Sequence, residues 1–143
     1  MAAFSTEEDV ALIRAFYVVA SEPLIGREME GRVFWNRILE EFRASFGNNI
    51  ERSTKSIQCR FTILKQNVKR YVGHVRVRCR GMAAGGYNVA TAYHLGQAAY
   101  EEEGKIWRHG AVFEILKTQF GREYDPEFFH PPFKGNPEDG AEA

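Results

Sequence analysis

Lys55, Gln58, Cys59, Thr62, Lys65, Gln66 and Lys69 recur at steps that place them together on one side of an α-helix. Their chemistry is that of recognition rather than bond-making. Gln pairs bidentately with adenine, Lys and Arg reach guanine or phosphate, and Thr contacts the methyl of thymine. No carboxylate interrupts this face. A face that merely keeps a helix soluble usually mixes Glu with Lys in i,i+4 pairs. The absence of acids extends well beyond it. From Arg52 to Tyr100 the basic residues are Arg52, Lys55, Arg60, Lys65, Lys69, Arg70, Arg76, Arg78 and Arg80, with no Asp or Glu among them. Residues 1–51 hold five basic and nine acidic residues, and 101–143 hold five and ten, so the chain as a whole is neutral. A basic segment between acidic ones is the electrostatic footprint of a polyanion-binding element; the competing explanation is a solvated helix face.

The residue types that make and break bonds are not arranged to do so. His74, His94, His109 and His130 lie far apart with no metal-ligand spacing. Glu101, Glu102 and Glu103 form a run at a helix end, most simply solvated. No P-loop, GxSxG or GxGxxG pattern occurs, and Gly81 to Gly86 lacks the Lys-Ser/Thr of a phosphate cradle. Cys59 lies on the cationic face, but no His is placed to partner it as a nucleophile. A base contact or a bystander is the better reading for Cys59. With Cys79 it makes two cysteines without CxxC spacing, which suits reduced thiols. The expectation is a binding protein, not an enzyme, with no cofactor and no metal.

The positioning elements read as helices throughout. A chain of 143 residues with 44% hydrophobic residues is long enough for one domain with a modest core. Ser5 at N-cap and Glu8 at N3 form a capping box, and Val10, Ile13, Phe16, Tyr17 and Ala20 predict a helix over 6–20 that Ser21-Glu22-Pro23 stops. Phe4 is placed to fold back onto it. A loop through Gly26 leads to a second helix over 29–45, with Phe34, Ile38 and Phe42 on one stripe beside Trp35 and Leu39. The turn-forming run Gly47-Asn48-Asn49 closes it.

A third helix starts after Ser53, and Ile57, Phe61, Leu64 and Val68 put its apolar sector opposite the cationic face. Residues 75–80 alternate apolar and basic, which leaves their state open, and Gly81 with Ala83 to Gly86 reads as a flexible break. Helices over 88–103 and 108–119 follow. The Pro-rich end, 125–143, reads as a mostly disordered tail, with Phe128, Phe129 and Phe133 available to pack back. No apolar run reaches bilayer length, and no signal-peptide pattern follows Met1.

Three short helices with spaced aromatics, here Phe4, Trp35 and Phe61, resemble the Myb/SANT repeat. The pattern is closer to one subgroup, the Myb/SANT-like proteins related to trihelix factors and to the accessory protein of Harbinger-type transposons. It rests on the Thr-Glu-Glu-Asp start, on Pro23 and Gly26, and on Phe34-Trp35-Asn36-Arg37-Ile38. Further on, Arg52-Ser53, Lys69-Arg70-Tyr71-Val72-Gly73 and Glu103-Gly104-Lys105-Ile106-Trp107 follow in order, with Phe113 in the next aromatic position. The resemblance covers roughly 4–120.

The resemblance implies an all-α protein: a three-helix Myb/SANT-type helix-turn-helix bundle over 4–80, two additional helices over 87–122 packed on it, and the tail from 125. It implies that the third helix enters the major groove of double-stranded DNA. Lys55, Gln58, Cys59 and Thr62 would then face base edges. Arg52, Arg60, Lys65, Lys69, Arg70, Arg76 and Arg78 would hold phosphates, which set register but not sequence. It further implies a nuclear transcription regulator or transposon-derived factor, an oligomer or a second partner to sharpen specificity, and a transposase or chromatin protein as that partner. The alternative within the family is a SANT-type protein-interaction module. Readers of cationic histone tails tend to carry an acidic or apolar third helix, which this chain lacks.

Overall fold

A computed structural model describes residues 3–22, 31–82 and 88–128. Its described residues are helical, with no strand. In chain order they form α1 (Thr6–Ala20), α2 (Gly31–Ala44), α3 (Thr54–Met82), α4 (Val89–Glu101), α5 (Gly110–Phe120) and a 3-10 turn, Gly121–Tyr124. The expected loop at Pro23 and Gly26, the break at Ala83 to Gly86, and Phe129 and Phe133 lie outside the described residues.

Three of the helices begin at a side-chain cap. Ser5 Oγ accepts from the Glu8 N–H at 3.1 Å while Glu8 Oε1 accepts from the Ser5 N–H at 3.0 Å, completing the predicted capping box. Ser53 Oγ accepts from the Ser56 N–H at 3.0 Å and starts α3, and Asn88 Oδ1 accepts from Thr91 at the head of α4. After α2, Gly47 and Asn48 take positive φ of 63° and 62°, so the chain reverses at the expected turn.

The third helix is longer than its cationic stretch. It continues unbroken through Gly73 to Met82, 29 residues in all. Val68, Val72, Val75 and Cys79 are buried in sequence along it, so the helical period prevails over the two-residue alternation of 75–80. Val77, which that alternation would equally have buried, is 60% exposed.

Two compact units share this helix. The first joins the chain up to Lys69 with Arg108–Gly121, and the second joins Arg70–Trp107 with the chain after Arg122. This division differs from one falling between residues 80 and 87. It places α5 with α1 and α2, and α4 with the later part of α3.

In the first unit α1 packs on α2 and α5. Leu12, Ile13, Val19, Ile38, Phe42, Ile57 and Leu64 are fully buried, each such side chain contributing about 1.5–3 kcal/mol. Phe16 stacks on Phe61 at 4.2 Å, and Trp35 meets both rings at 5.8 and 5.4 Å. Of the three aromatics expected to share a core, Trp35 and Phe61 do. Phe4 instead lies under the Arg52 guanidinium, 3.9 Å from its ring, and Phe16 occupies the central place.

In the second unit Tyr71 stacks on Trp107 at 3.9 Å with Tyr100 edge-on to both. Gly96 lets α4 approach α3 closely: a Cβ there would stand 2.7 Å from the Val75 Cα and 2.9 Å from its nitrogen. Tyr124 and Pro126 are buried, and Arg122 lies over the Phe128 ring at 5.0 Å. Asp125–Phe128, expected to begin the tail, therefore pack within this unit.

Candidate nucleic-acid interface

The first part of α3, residues 54–69, is held from both ends of its sequence. Its buried side, Ile57, Phe61, Leu64 and Val68, enters the first unit's core. Thr54 Oγ1 donates to Asn36 Oδ1 of α2 at 2.8 Å, which fixes the helix start laterally. With that side anchored, Lys55, Gln58, Cys59, Thr62, Gln66 and Lys69 are all exposed on the other. Lys65 is half-buried, its ammonium 5.2 Å from the Phe61 ring centre. The Thr62 hydroxyl donates back to the Gln58 carbonyl at 3.2 Å, so its donor is occupied within the helix.

Arg52 and Arg60, expected to hold phosphates, turn toward the acids that open α1. Arg52 Nε donates to Glu8 Oε2 at 2.8 Å and its Nη2 to Glu8 Oε1 at 3.0 Å and to the Ala3 carbonyl at 3.1 Å. Arg60 grips Asp9 in the same forked manner, both contacts at 2.8 Å. These are bidentate, charge-assisted bonds in which the planar guanidinium matches the carboxylate. The Arg52 side chain is only 7% exposed and Asp9 only 5%. The Arg52 hydrogen bond is the main influence holding the Glu8 carboxyl below its ordinary range, against the opposing effect of burial. Hydrogen bonding to Asp9 likewise pushes the Arg60 pKa up.

The acids opening α1 thus do more than complement the helix dipole. Glu8 closes the capping box and holds Arg52 with the same carboxylate. That second role had no local signal, because the partners are 44 residues apart.

The later arginines serve the second unit. Arg76 donates to the carbonyls of Arg122 and Asp125 at 3.3 and 2.9 Å, and Arg78 to the carbonyl of His74 at 3.1 Å. Their guanidinium groups, expected to meet phosphates, brace backbone carbonyls. Arg70 is exposed but stands 3.5 Å from Glu103, whose other oxygen meets His74 Nε2 at 3.0 Å. Within the first unit the cations on the outward face of α3 are accordingly Lys55, Lys65 and Lys69.

One residue on that face went unmarked in the sequence pattern. Ile63, 43% exposed, follows Cys59 by four positions and precedes Gln66 by three, so the three are neighbours on the helix. Helical spacing alone would have found it, had apolar residues not been read only as core.

Elsewhere in the first unit, a cavity of about 480 Å³ opens between α1 and α5, lined by Arg14, Tyr17, Val18, Glu114, Ile115, Thr118 and Gln119. No helix among the described residues is long and apolar enough to cross a membrane. No protein-family model, curated protein or solved structure matches the chain.

Proposed function

We propose that the first unit is a sequence-reading, double-stranded DNA-binding module of Myb/SANT-like helix-turn-helix type, which presents residues 55–69 of α3 to the major groove. The observation that carries this reading is the exposed, carboxylate-free face of Lys55, Gln58, Cys59, Thr62, Gln66 and Lys69 on a helix whose opposite side is locked in a core. The major groove is about 12 Å wide and admits an α-helix. Lys55, Gln58, Cys59 and Thr62 meet base edges, and Lys65 and Lys69, four residues apart on one side of the helix, hold phosphates. Such a protein acts in the nucleus, as a transcription regulator or a transposon-derived factor.

Internal pairing of the arginines makes the electrostatic contribution smaller than the raw charge of the segment suggests. With Lys65 and Lys69 neutralising phosphates, log K should fall against log salt with a slope of about −1.8; six contacts would give about −5.4. The test incubates the full chain with a random duplex pool at physiological salt and sequences the retained fraction. An enriched short motif supports the reading. Retention without enrichment reduces it to nonspecific duplex binding.

A second reading, a protein-interaction module, is favoured by the α1/α5 cavity with Tyr17, Val18 and Ile115 in its wall. Failure of any duplex to be retained would leave that reading standing.

A further inference from the structure

We infer that Ile63 is a specificity-determining residue that reads the C5 methyl group of a pyrimidine in the major groove. The inference rests on the duplex-binding reading above and adds to it the kind of base read and the side chain that reads it.

Three observations converge on this position. Ile63 is 43% exposed although it stands on the helix that supplies much of the first unit's core. It lies beside Cys59, and next to Thr62 in sequence; the Thr62 hydroxyl is turned back to the Gln58 carbonyl. A cysteine thiol, a threonine methyl and an isoleucine thus form a weakly polar island within a rim of Lys55, Gln58, Gln66 and Lys69. The third observation is the guanidinium missing from this face. Arg60 is the one arginine within residues 54–69, and Asp9 holds it by two bonds of 2.8 Å. The commonest reader of guanine is therefore committed elsewhere.

The major groove offers little that an isoleucine can recognise. Base edges there are hydrogen-bond donors and acceptors, with one apolar exception, the C5 methyl of thymine. Methylated cytosine carries the same group at the same carbon. An apolar island among amides matches that pattern: Gln58 and Gln66 supply adenine's bidentate partner, and Ile63 covers the neighbouring methyl. Water leaves both apolar surfaces when they meet. One methyl-sized contribution is worth about a fourfold change in affinity.

The experiment uses the full chain and the duplex enriched in the selection described above. Each thymine is replaced in turn by uracil, which removes the methyl and keeps base pairing, and affinities are measured for the wild type, Ile63→Ala and Ile63→Val. At one position uracil should weaken the wild type about fourfold, and Ile63→Ala should bind the thymine and uracil duplexes alike. Ile63→Val should retain part of the discrimination. Thermal unfolding of each variant verifies that this exposed position leaves the fold intact. Equal sensitivity to uracil in the wild type and Ile63→Ala, or insensitivity at every thymine, overturns the assignment while leaving duplex reading intact. Retention without an enriched sequence also overturns it. Absence of any retained duplex overturns the DNA-reading proposal itself, and the Ile63 assignment with it.

Discussion

Two sides of α3 hold positive charge in opposite ways. Toward α1, Arg60 meets Asp9 and the neighbouring Arg52 meets Glu8, each through a planar fork onto a nearly buried carboxylate. On the outward side Lys55, Gln58, Gln66 and Lys69 are exposed with no acid among them. The inward pairs use arginine, whose fixed geometry loses little freedom in a bidentate contact; the outward side uses lysine, a flexible and strongly hydrated charge. In a charge count the two are indistinguishable. Burial separates a cation that holds the fold from one that faces solvent.

The largest effect should come from breaking the inward side. Arg60→Ala leaves the Asp9 carboxylate buried without its fork, and loss of one partner of such a pair costs about 3 kcal/mol. The urea midpoint should fall accordingly. Asp9→Ala combined with Arg60→Ala should cost less than the two single effects added, since no unpaired charge remains. Additive losses would mean that the pair contributes through packing alone, and would erase the distinction between the two sides.

The outward side should respond in the opposite sense. Lys55, Lys65 and Lys69 changed together to Gln should leave the unfolding free energy measured in urea within about 0.5 kcal/mol of the wild type. Duplex binding should lose its salt dependence instead. Two phosphate contacts imply a roughly 12-fold loss of affinity between 50 and 200 mM salt, and the triple variant should show almost none of it. A variant that unfolds while its salt slope persists would assign these lysines to the fold.

Much of the helical architecture was legible because its signals are local. The Ser5–Glu8 box, the Ser53 cap and the Gly47-Asn48 turn each act within a few residues, and the Ile57, Phe61, Leu64, Val68 spacing identifies the buried side of α3 directly. The pairing of Glu8 with Arg52 was not legible, for nothing near either residue announces a partner 44 positions away. The aromatic centre was read twelve residues too early for a related reason. Phe4 and Phe16 are equally apolar in sequence, and only the neighbourhood of Arg52 decides that Phe4 serves a cation while Phe16 serves the core. Grouping α5 with α1, and α4 with the later part of α3, also depends on contacts far apart in the chain.

The inward side should also be the acid-sensitive one. Glu8 has a folded pKa below its ordinary value, chiefly through the Arg52 hydrogen bond. Its pairing therefore stabilises the fold above the ordinary carboxylate range, and that contribution is lost as pH falls through the lower folded value. Stability measured downward from about pH 5 should decline, and Glu8→Gln should decline less steeply over the same interval. An unchanged slope in Glu8→Gln would mean that other carboxylates dominate acid unfolding.

The smallest effect concerns the outward side alone and divides it further. Gln58 and Thr62 changed to Ala should leave stability and the salt slope nearly unchanged, because neither carries charge and both are exposed. What should change is discrimination. A bidentate amide is worth about 1–3 kcal/mol against the wrong base, so preference at one or two positions of the enriched duplex should relax by about tenfold. Affinity for unrelated duplexes should hardly move, since the lysines that meet phosphates remain. If the double variant instead weakens every duplex equally, the amides act as general polar contacts and the outward side of α3 is a single electrostatic surface. If preference relaxes alone, that side contains two kinds of residue, lysines that set where the helix rests and amides that set what it reads.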